Sequence, residues 1–377
     1  MTDTSVKPGD VRGRALIAMS GGVDSSVAAA CMMQEGYECI GMTMHLYDNE
    51  TANTDGKTCC SLSDVEDAKR VCESLGIDHY TGNFRELFCE RVIDHFTDSY
   101  RMGRTPNPCI DCNRYLKFDA LDKRARELGC DVIVTGHYAR VIYNADSDEY
   151  ELHKGLDPKK DQSYVLYMLS HEQLSRTRFP IGELTKDKTR MIAEENGFVN
   201  SHKADSQDIC FIPDGDFRGF LLRQGISCPH GNFVSESGEI LGEHTGICNY
   251  TVGQRKGLGI PALHPWFVKE IRPESNEIVL SENDALFSSE LTARDVCWTY
   301  KGGRPDKDEL RCLARIRYHH KESSATVYIT HDASGTDEAD SSDSIRIVFD
   351  EPQRAITPGQ AVVLYDGDRV LGGGTIV

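Results

Sequence analysis

The chain has 377 residues, 39% of them hydrophobic and 27% charged, and a formal net charge of −18. This length predicts two or three domains, and the negative charge argues against a general nucleic-acid coat while leaving room for a local basic surface. No apolar run approaches the roughly 20 residues of a membrane-spanning helix, and the N-terminus lacks the apolar segment of a signal peptide. We therefore expect a cytoplasmic protein with no membrane partner, whose fourteen cysteines are thiols, metal ligands or catalysts.

The first 140 residues alternate between short apolar strands and helical patterns. Strands are predicted at 15–19, 38–46 and 131–136, and helices with one apolar face at 61–76, 84–100 and 115–129. This β-α-β-α rhythm predicts an α/β fold, with a doubly wound parallel sheet covered by helices on both faces.

The pattern changes after about residue 205, where glycine, proline and short alternating strands replace the helical periodicity. From residue 275 to the end, strands at regular spacing predict a small β-barrel or sandwich. We therefore divide the chain into a catalytic domain at 1–211, a small central domain at 212–274 and a C-terminal β-barrel at 275–377. The acidic, serine-rich stretch 331–344 is interpreted as a solvated loop with no function of its own.

The segment SGGVDSS, residues 20–26, lies between the first predicted strand and an apolar helix. Gly21 and Gly22 let the backbone approach a ligand closely, and the start of the helix offers free N–H groups to an anion. Ser20 and Ser25 add hydroxyl donors, whereas Asp24 suits a phosphate site only if it binds a cation or caps the helix. The pattern is neither a Walker loop nor a dinucleotide fingerprint. It resembles the pyrophosphate-binding loop of the N-type ATP pyrophosphatases; a plain strand–turn–helix corner is the alternative.

The segment TPNPCIDCN, residues 105–113, places Cys109 and Cys112 three positions apart. Such a pair is found in zinc sites, in redox dithiols and in nucleophilic sites. A zinc site needs a second pair, and the chain offers only the adjacent Cys59 and Cys60. Cys210 stands apart, in a polar segment where the α/β pattern ends. Because ligands bind at the carboxyl ends of parallel strands, we expect Cys112 and Cys210 to meet near the phosphate loop.

Several motifs between residues 15 and 260 strengthen this interpretation when they are taken together. They are SGGVDSSVAA, GRTPNPCIDCNRYLKF, TGHYAR, KDQSYVLYML, DSQDICFI and YTVGQRKGLGI. In order and spacing, the chain resembles the bacterial tRNA-specific 2-thiouridylases. The resemblance implies that ATP, with Mg²⁺, adenylates the C2 oxygen of the wobble uridine, position 34 of tRNA. A cysteine persulfide then supplies sulfur, giving 2-thiouridine, AMP and pyrophosphate. It also implies a monomer that binds the anticodon arm and receives sulfur from a cysteine desulfurase or a sulfur-relay protein.

The resemblance assigns roles to individual residues. Cys210 is the persulfide carrier, and Cys112 is the nucleophile that releases the sulfur and forms a transient disulfide with Cys210. The ATP-binding positions are Ala18, Met19, Ser20, Gly21, Gly22, Val23, Asp24, Ser25, Met44 and Gly136. The positions that line the target base are Asn107, Pro108 and Cys109. The tRNA-binding positions are His137, Lys160, Asp161, Gln162, Arg255, Lys256, Arg317, Tyr318 and Gln360.

Cys109 departs from the pattern of many family members, which carry an acidic residue at this position. A thiol is a weaker base near neutrality, so an alternative has Cys109, Cys112 and Cys210 as ligands of a [4Fe–4S] cluster with one open iron. Two other functions stay open on the residues alone. A synthetase of the same fold with another acceptor leaves Cys112 and Cys210 unexplained. A non-catalytic RNA-binding adaptor, clamped by a metal, leaves SGGVDSS unexplained.

Overall fold

The computed structural model describes residues 12–47, 62–205, 209–261, 264–330 and 343–377. Cys59, Cys60 and residues 331–342 of the acidic stretch lie outside these ranges, so the interpretations placed on them stay predictions. Within the described ranges, no helix has the length and apolar character needed to cross a membrane.

The described strands form three sheets. In chain order the strands are β1 Gly13–Ala18, β2 Tyr37–His45, β3 Asp78–Asn83, β4 Val132–Val134, β5 Ala139–Asn144, β6 Glu149–Lys154, β7 Thr177–Arg178, β8 Gly231–Val234, β9 Ile240–His244, β10 Phe267–Arg272, β11 Glu277–Ser281, β12 Phe287–Trp298, β13 Glu309–Arg315, β14 Ser323–Thr330, β15 Ser344–Arg354, β16 Ala361–Asp366 and β17 Arg369–Ile376.

The helices lie mainly in the first 225 residues. The α-helices are α1 Val23–Gln34, α2 Leu62–Leu75, α3 Arg85–Phe88, α4 His95–Arg101, α5 Pro108–Asp111, α6 Leu121–Glu127, α7 His171–Arg176, α8 Lys186–Glu195 and α9 Phe217–Arg223. Wider π-helical turns, Cys89–Asp94 and Cys112–Ala120, join α3 to α4 and α5 to α6. Short 3₁₀ turns occur at Ser163–Leu166, Ile247–Asn249 and Asn283–Leu286.

The N-terminal sheet has the order β3-β2-β1-β4-β7, and all of its pairs are parallel. Ala15, Leu16 and Ile17 of the central strand β1 are fully buried, as expected for a parallel strand covered on both faces. The α/β prediction is therefore confirmed. The segments that follow β1, β2 and β4 all leave the sheet at its carboxyl edge, where the phosphate loop lies.

The C-terminal strands close into an antiparallel barrel in the order β12-β15-β14-β13-β16-β17, and β12 pairs with β17 to complete it. Alternate residues of β14, beginning with Ala325 and Val327, point into its core. The predicted barrel is confirmed. The hairpin β5–β6 extends the same sheet through β17, and Tyr164 donates from its buried hydroxyl to the Ala361 carbonyl at 2.8 Å. The barrel is thereby packed directly onto the N-terminal domain.

The central sheet has the order β10-β11-β8-β9. It includes β11, a strand that the sequence analysis placed in the C-terminal barrel region, so the central sheet extends past residue 275 to Ser281. The alternating apolar pattern of β11 predicts a strand, but it carries no information on which sheet that strand joins.

One disulfide departs from the expectation for the cysteines. Cys228 and Cys248, which are 20 residues apart, are paired with their Cα atoms 6.1 Å apart. Cys228 follows α9, and Cys248 lies in the 3₁₀ turn Ile247–Asn249 after the β8–β9 hairpin. The β8–β9 hairpin brings the chain back beside Cys228. The pairing therefore depends on the folded hairpin and is not apparent from the sequence.

Candidate active site

The phosphate loop joins the end of β1 to the start of α1. Gly22 occupies the N-cap position of α1 and has no side chain with which to cap the first turn. The hydroxyls of Ser25 and Ser26 each donate to the Gly22 carbonyl at 3.0 Å, which stabilises the turn. The first N–H groups of the helix and the positive end of its dipole are thereby left for an anion.

Two of the predicted ATP-binding glycines allow the phosphate loop to pack closely against neighbouring segments of the chain. Gly21 has a φ of 75°, and a Cβ there would overlap the backbone of Asp64 in α2. Gly136, just after β4, is so close to the loop that a Cβ would lie 2.7 Å from the carbonyl carbon of Asp24. The loop is therefore packed between α2 and the end of β4, with no space for a side chain at either glycine.

Asp24 forms an ion pair with a lysine side chain, and its role at the phosphate site stays a prediction. Its carboxylate accepts hydrogen bonds from Lys186 Nζ at 2.8 and 2.9 Å and from the hydroxyl of Tyr138 at 2.9 Å. Burial, followed by the charge of Asp24, raises the pKa of Tyr138, so this hydroxyl stays protonated and donates. The cation is a side chain that lies 162 residues away in the sequence.

Two lysines that the sequence analysis missed lie beside the loop. Lys186 is the first residue of α8, and Lys203 donates to the Gly21 carbonyl at 3.2 Å and to Asp67 at 2.8 Å while also pairing with Asp64. Burial alone would lower the pKa of Lys203, but the hydrogen bonds to these carboxylates outweigh it and raise the pKa. In the sequence both lysines look like ordinary polar positions, because their partners come from distant segments.

Asp205, near Cys210 in the sequence, is held by cations from three places. Lys160 lies at 2.6 Å, Lys186 at 2.7 Å and Arg190 at 3.0 Å from its carboxylate oxygens. Burial alone would raise the pKa of Asp205, but the hydrogen bonds from the two lysines outweigh it and lower the pKa. The carboxylate is therefore ionised at neutral pH and anchors the start of the Cys210 segment.

Cys109 and Cys112 lie on one continuous helical stretch that begins at Pro108. Asn107 caps this stretch, because its side-chain oxygen accepts from the Cys109 N–H at 3.1 Å. Cys109 is exposed and Cys112 is half-buried. The buried side chain of Asn113 donates to the Val165 carbonyl at 2.8 Å and fixes the turn that carries Cys112.

The C-terminal barrel holds the segment just before these cysteines. Gln360 donates from its side-chain amide to the Thr105 carbonyl at 2.7 Å, and the Thr105 N–H donates to the Pro358 carbonyl at 2.9 Å. Gly359 between them has a φ of 89°, and a Cβ there would lie 2.9 Å from the Thr105 nitrogen. A predicted tRNA-binding position, Gln360, thus lies beside the predicted target-base segment.

Tyr318 and Arg317 belong to the same face of the barrel. The Tyr318 hydroxyl donates to the Asp161 carbonyl at 3.1 Å. Burial raises the pKa of Tyr318, and the charge of Asp161 adds to the rise. Arg317 donates to the Arg354 and Ala355 carbonyls at 2.6 and 2.8 Å. These hydrogen bonds hold both side chains against protein carbonyls, and their assignment to tRNA binding stays a prediction.

Cys210 is half-buried at the edge of an aromatic cluster. The hydroxyl of Tyr47 donates to its carbonyl at 2.7 Å, and Phe211 and Ile212 after it are buried. Cys112 and Cys210 pack against the same hydrophobic cluster. Their direct meeting during the reaction stays a prediction.

Other predicted tRNA-binding residues occupy contrasting environments. His137 and Asp161 are buried: the His137 ring contacts Thr135 at 2.7 Å, and Asp161 accepts from Ser163 at 3.0 Å. Arg255 and Lys256 are exposed on a turn whose start, Thr251, lies 3.4 Å from the Thr105 hydroxyl. Arg255 and Lys256 are accessible to a polyanion, whereas His137 and Asp161 contact other groups of the protein. All four assignments to tRNA binding stay predictions.

A metal site was the alternative for the three cysteines. Across the residues that the structure describes, no group of three or more histidine, cysteine, aspartate or glutamate side chains is arranged to hold a metal ion. Cys109, Cys112 and Cys210 therefore do not form a preassembled ligand set for an iron–sulfur cluster.

Comparisons with known proteins cover most of the chain. Residues 13–214 match the family model described as tRNA methyl transferase HUP domain, 218–282 the tRNA methyl transferase PRC-barrel domain and 288–376 the aminomethyltransferase beta-barrel domain. The tRNA-specific 2-thiouridylase MnmA of Carboxydothermus hydrogenoformans is 50% identical over 97% of this chain and 99% of its own length. The protein of that name from Clostridioides difficile is 48% identical over 96% and 98%, respectively.

The chain is also similar to a solved 4-thiouridine synthetase–RNA complex with bound ATP. The TM-score is 0.34 at 20% identity, over 53% of this chain and 45% of that one. A likeness this loose supports no further inference.

We expect Gly21→Ala to weaken ATP binding by about tenfold or more, because the new methyl group must displace the Asp64 backbone and the loop with it. Titration calorimetry with ATP measures this. Gly76→Ala is the matched control, because Gly76 also has a positive φ, 68°, but open space around its Cβ position. Equal effects of the two substitutions on ATP affinity would refute the steric role of Gly21.

We expect Gln360→Ala to lower tRNA affinity or sulfur transfer by about two- to tenfold, the value of one lost hydrogen bond, while ATP affinity stays unchanged. The reason is that Gln360 donates a hydrogen bond to Thr105, which precedes the target-base positions and is not part of the phosphate loop. Filter binding of tRNA and ATP titration separate the two effects. Gln34→Ala, an exposed glutamine at the end of α1, serves as control, and a selective loss of ATP binding in Gln360→Ala would contradict the assignment.

Proposed function

This chain belongs to the tRNA-specific 2-thiouridylase family, and on that basis we propose that it replaces the C2 oxygen of the wobble uridine of tRNA with sulfur in two steps. It is an ATP-dependent sulfurtransferase that forms 2-thiouridine in tRNA. One observation carries the detailed proposal: Ala18 and Met44 of the predicted ATP site, Cys112 and Cys210 all belong to or pack against one hydrophobic cluster. This shared cluster supports a site in which the nucleotide and both thiols lie in the same part of the fold.

In the first step the phosphate loop holds ATP while the C2 oxygen attacks the α-phosphate and pyrophosphate leaves. The N–H groups at the start of α1 and the hydroxyl of Ser20 bind the phosphates, and Ser25 joins them by turning its hydroxyl away from the Gly22 carbonyl. Asp24, whose side chain is 32% exposed, is the carboxylate of the loop that would reach Mg²⁺ on the phosphate oxygens. Adenylation turns the C2 oxygen into part of a good leaving group, AMP.

In the second step sulfur replaces AMP. The terminal sulfur of a Cys210 persulfide bonds to C2 as the bond from C2 to the AMP oxygen breaks. The Cys112 thiolate then attacks the Cys210 sulfur, so the S–S bond breaks, sulfur stays on C2 and a Cys112–Cys210 disulfide forms. A cellular dithiol supplies the two electrons that restore both thiols.

The tRNA partner would lie across all three domains. Arg255 and Lys256 are exposed, and cations of this kind contact phosphate groups of the anticodon arm. The hydrogen bond from Gln360 to the Thr105 carbonyl supports a position of the barrel beside the target-base segment. We infer a cytoplasmic monomer that receives sulfur from a cysteine desulfurase or a relay protein.

The other candidate functions are less well supported. A synthetase with a different acceptor leaves the paired placement of Cys112 and Cys210 on one cluster without a purpose. Methyl transfer appears in the names of two matched domain models, but relatives that span this chain are named 2-thiouridylases. The cluster mechanism would need ligands that the described residues do not preassemble.

The decisive experiment is mass spectrometry of nucleosides from tRNA incubated with the protein, ATP, Mg²⁺ and a sulfur source. We expect 2-thiouridine with the wild type and none with Cys112→Ser or Cys210→Ser, because one thiol cannot both carry and release the sulfur. Labelled sulfur should accumulate on Cys210 in Cys112→Ser and be absent from Cys210→Ser. Cys89→Ser is the control, since Cys89 is also half-buried against the same cluster. Thiolation by Cys210→Ser would refute the proposal.

Cys109→Ser separates the two sulfur mechanisms. In the persulfide mechanism the variant keeps appreciable activity, because serine preserves the size and polarity of this exposed position. The same nucleoside assay, combined with iron analysis of anaerobically purified protein, measures it. Parallel loss of iron and activity in Cys109→Ser would favour the cluster mechanism instead.

A further inference from the structure

Thr43 is a polar residue at a buried position of β2. It is 1% exposed, and Cys39 and Gly41, which share its side of the strand, carry neither a hydroxyl nor a charge. Valine has nearly the same shape and is a common residue in parallel strands that are buried on both faces. Packing alone therefore does not explain the hydroxyl, because a buried polar group is costly unless it is hydrogen-bonded.

The Thr43 hydroxyl donates to the backbone carbonyl of Met19 at 2.8 Å. Met19 follows the last residue of β1, and its N–H donates to the Met42 carbonyl at 2.8 Å. Both backbone polar groups of Met19 are thus bonded to β2, one through the main chain and one through a side chain. The chain is therefore attached to β2 at the residue just before the phosphate loop.

The bond to Met19 also sets the direction of the next N–H group. The C=O of Met19 and the N–H of Ser20 belong to one planar peptide unit, so neither can rotate without the other. The Ser20 N–H donates to the Ser25 hydroxyl at 3.3 Å, and the Ser20 hydroxyl lies 3.3 Å from the same oxygen. Thr43 therefore holds one side of a peptide unit whose other side contacts Ser25, in the first turn of α1.

His79 of β3 orients the Thr43 hydroxyl. Its Nε2 atom lies 2.8 Å from the Thr43 oxygen. A carbonyl only accepts, so the single hydroxyl hydrogen of Thr43 is directed at Met19 and His79 donates through Nε2. With a donor and an acceptor both in place, the hydroxyl has one favoured direction, and that direction is toward the phosphate loop.

We propose that Thr43 is a positioning residue for the bound triphosphate, acting through the Met19–Ser20 peptide. Without the hydroxyl, the Met19 carbonyl loses this donor at a residue that is 2% exposed. The peptide then turns toward another donor, and the Ser20 N–H and hydroxyl move away from the phosphate groups. The inference rests on the proposed function for the identity of the ligand, ATP, but concerns a residue outside the predicted ATP-binding positions.

The test is calorimetric titration of the full-length wild type and of Thr43→Val with ATP and Mg²⁺. We expect Thr43→Val to raise the dissociation constant about five- to tenfold, the value of one lost hydrogen bond. Thr43→Ser keeps the donor and should bind ATP within about twofold of the wild type. This rescue does not follow from side-chain volume, because valine is closer to threonine in volume than serine is.

Thr299→Val is the matched control. Thr299 is also 1% exposed, and its hydroxyl donates to the Val370 carbonyl in the barrel at 2.8 Å. Both valine variants should lower the melting temperature, but only Thr43→Val should lower ATP affinity. Equal losses of ATP affinity in the two variants would refute the inference, since general destabilisation would then account for them.

Thr43→Cys covers the case in which Thr43→Val fails to fold. Its side chain is close in size to that of Thr43→Ser, but a thiol is a weak donor. Thr43→Cys should therefore bind ATP more weakly than Thr43→Ser. Equal affinities of these two variants would contradict a role for the hydroxyl as a donor.

Hydrogen exchange of the peptide that contains Ser20, measured without ATP, is the second readout. It should be faster in Thr43→Val than in the wild type or in Thr299→Val, because the Ser20 N–H is no longer held in place. Absence of ATP binding by the wild type would contradict the proposed function, while the exchange rates would still decide whether Thr43 holds the loop. Unchanged ATP affinity or unchanged exchange in Thr43→Val would overturn the inference and leave the proposed function standing.

Discussion

Close approach of the backbone to a polyanion is the constraint on which the rest of the site depends. The N–H groups at the start of α1 can bind a triphosphate only if no side chain intervenes, and Gly22 at the N-cap satisfies this. Gly21 and Gly136 let the loop pack between α2 and the end of β4, so its shape is fixed before a ligand arrives. A loop held in this way loses little conformational entropy on binding, which favours affinity.

Electrostatics impose a second demand, because a protein with a net charge of −18 must bind both ATP and tRNA. Beside the loop, the buried cation Lys186 and the half-buried Lys203 are each neutralised by carboxylates. This arrangement keeps positive charge at the site without leaving it unpaired when ATP is absent. Arg255 and Lys256, the proposed tRNA contacts, are instead exposed, where water hydrates their charges.

The cysteine segment shows why three domains are needed. Thr105, just before the target-base positions, is contacted by the turn that begins at Thr251 and by the barrel turn that contains Gln360. A substrate base entering here would meet groups from all three parts of the chain. Placement of Cys109 and Cys112 thus depends on how the domains pack, and Tyr164 and the β5–β6 hairpin secure that packing.

The sequence by itself determined the parallel sheet, the C-terminal barrel and the place of the phosphate loop between β1 and α1, because local periodicity and short motifs carry that information. The roles of Cys112 and Cys210 came from the family resemblance and stay predictions. The sequence left open the partner of Asp24, the sheet that β11 joins, the Cys228–Cys248 pairing and the contacts of Lys186 and Lys203. Each of these depends on groups that are far apart in the chain. Only the tertiary structure decided them, since a hydrogen bond or an ion pair acts over a few ångströms in space whatever the distance along the sequence.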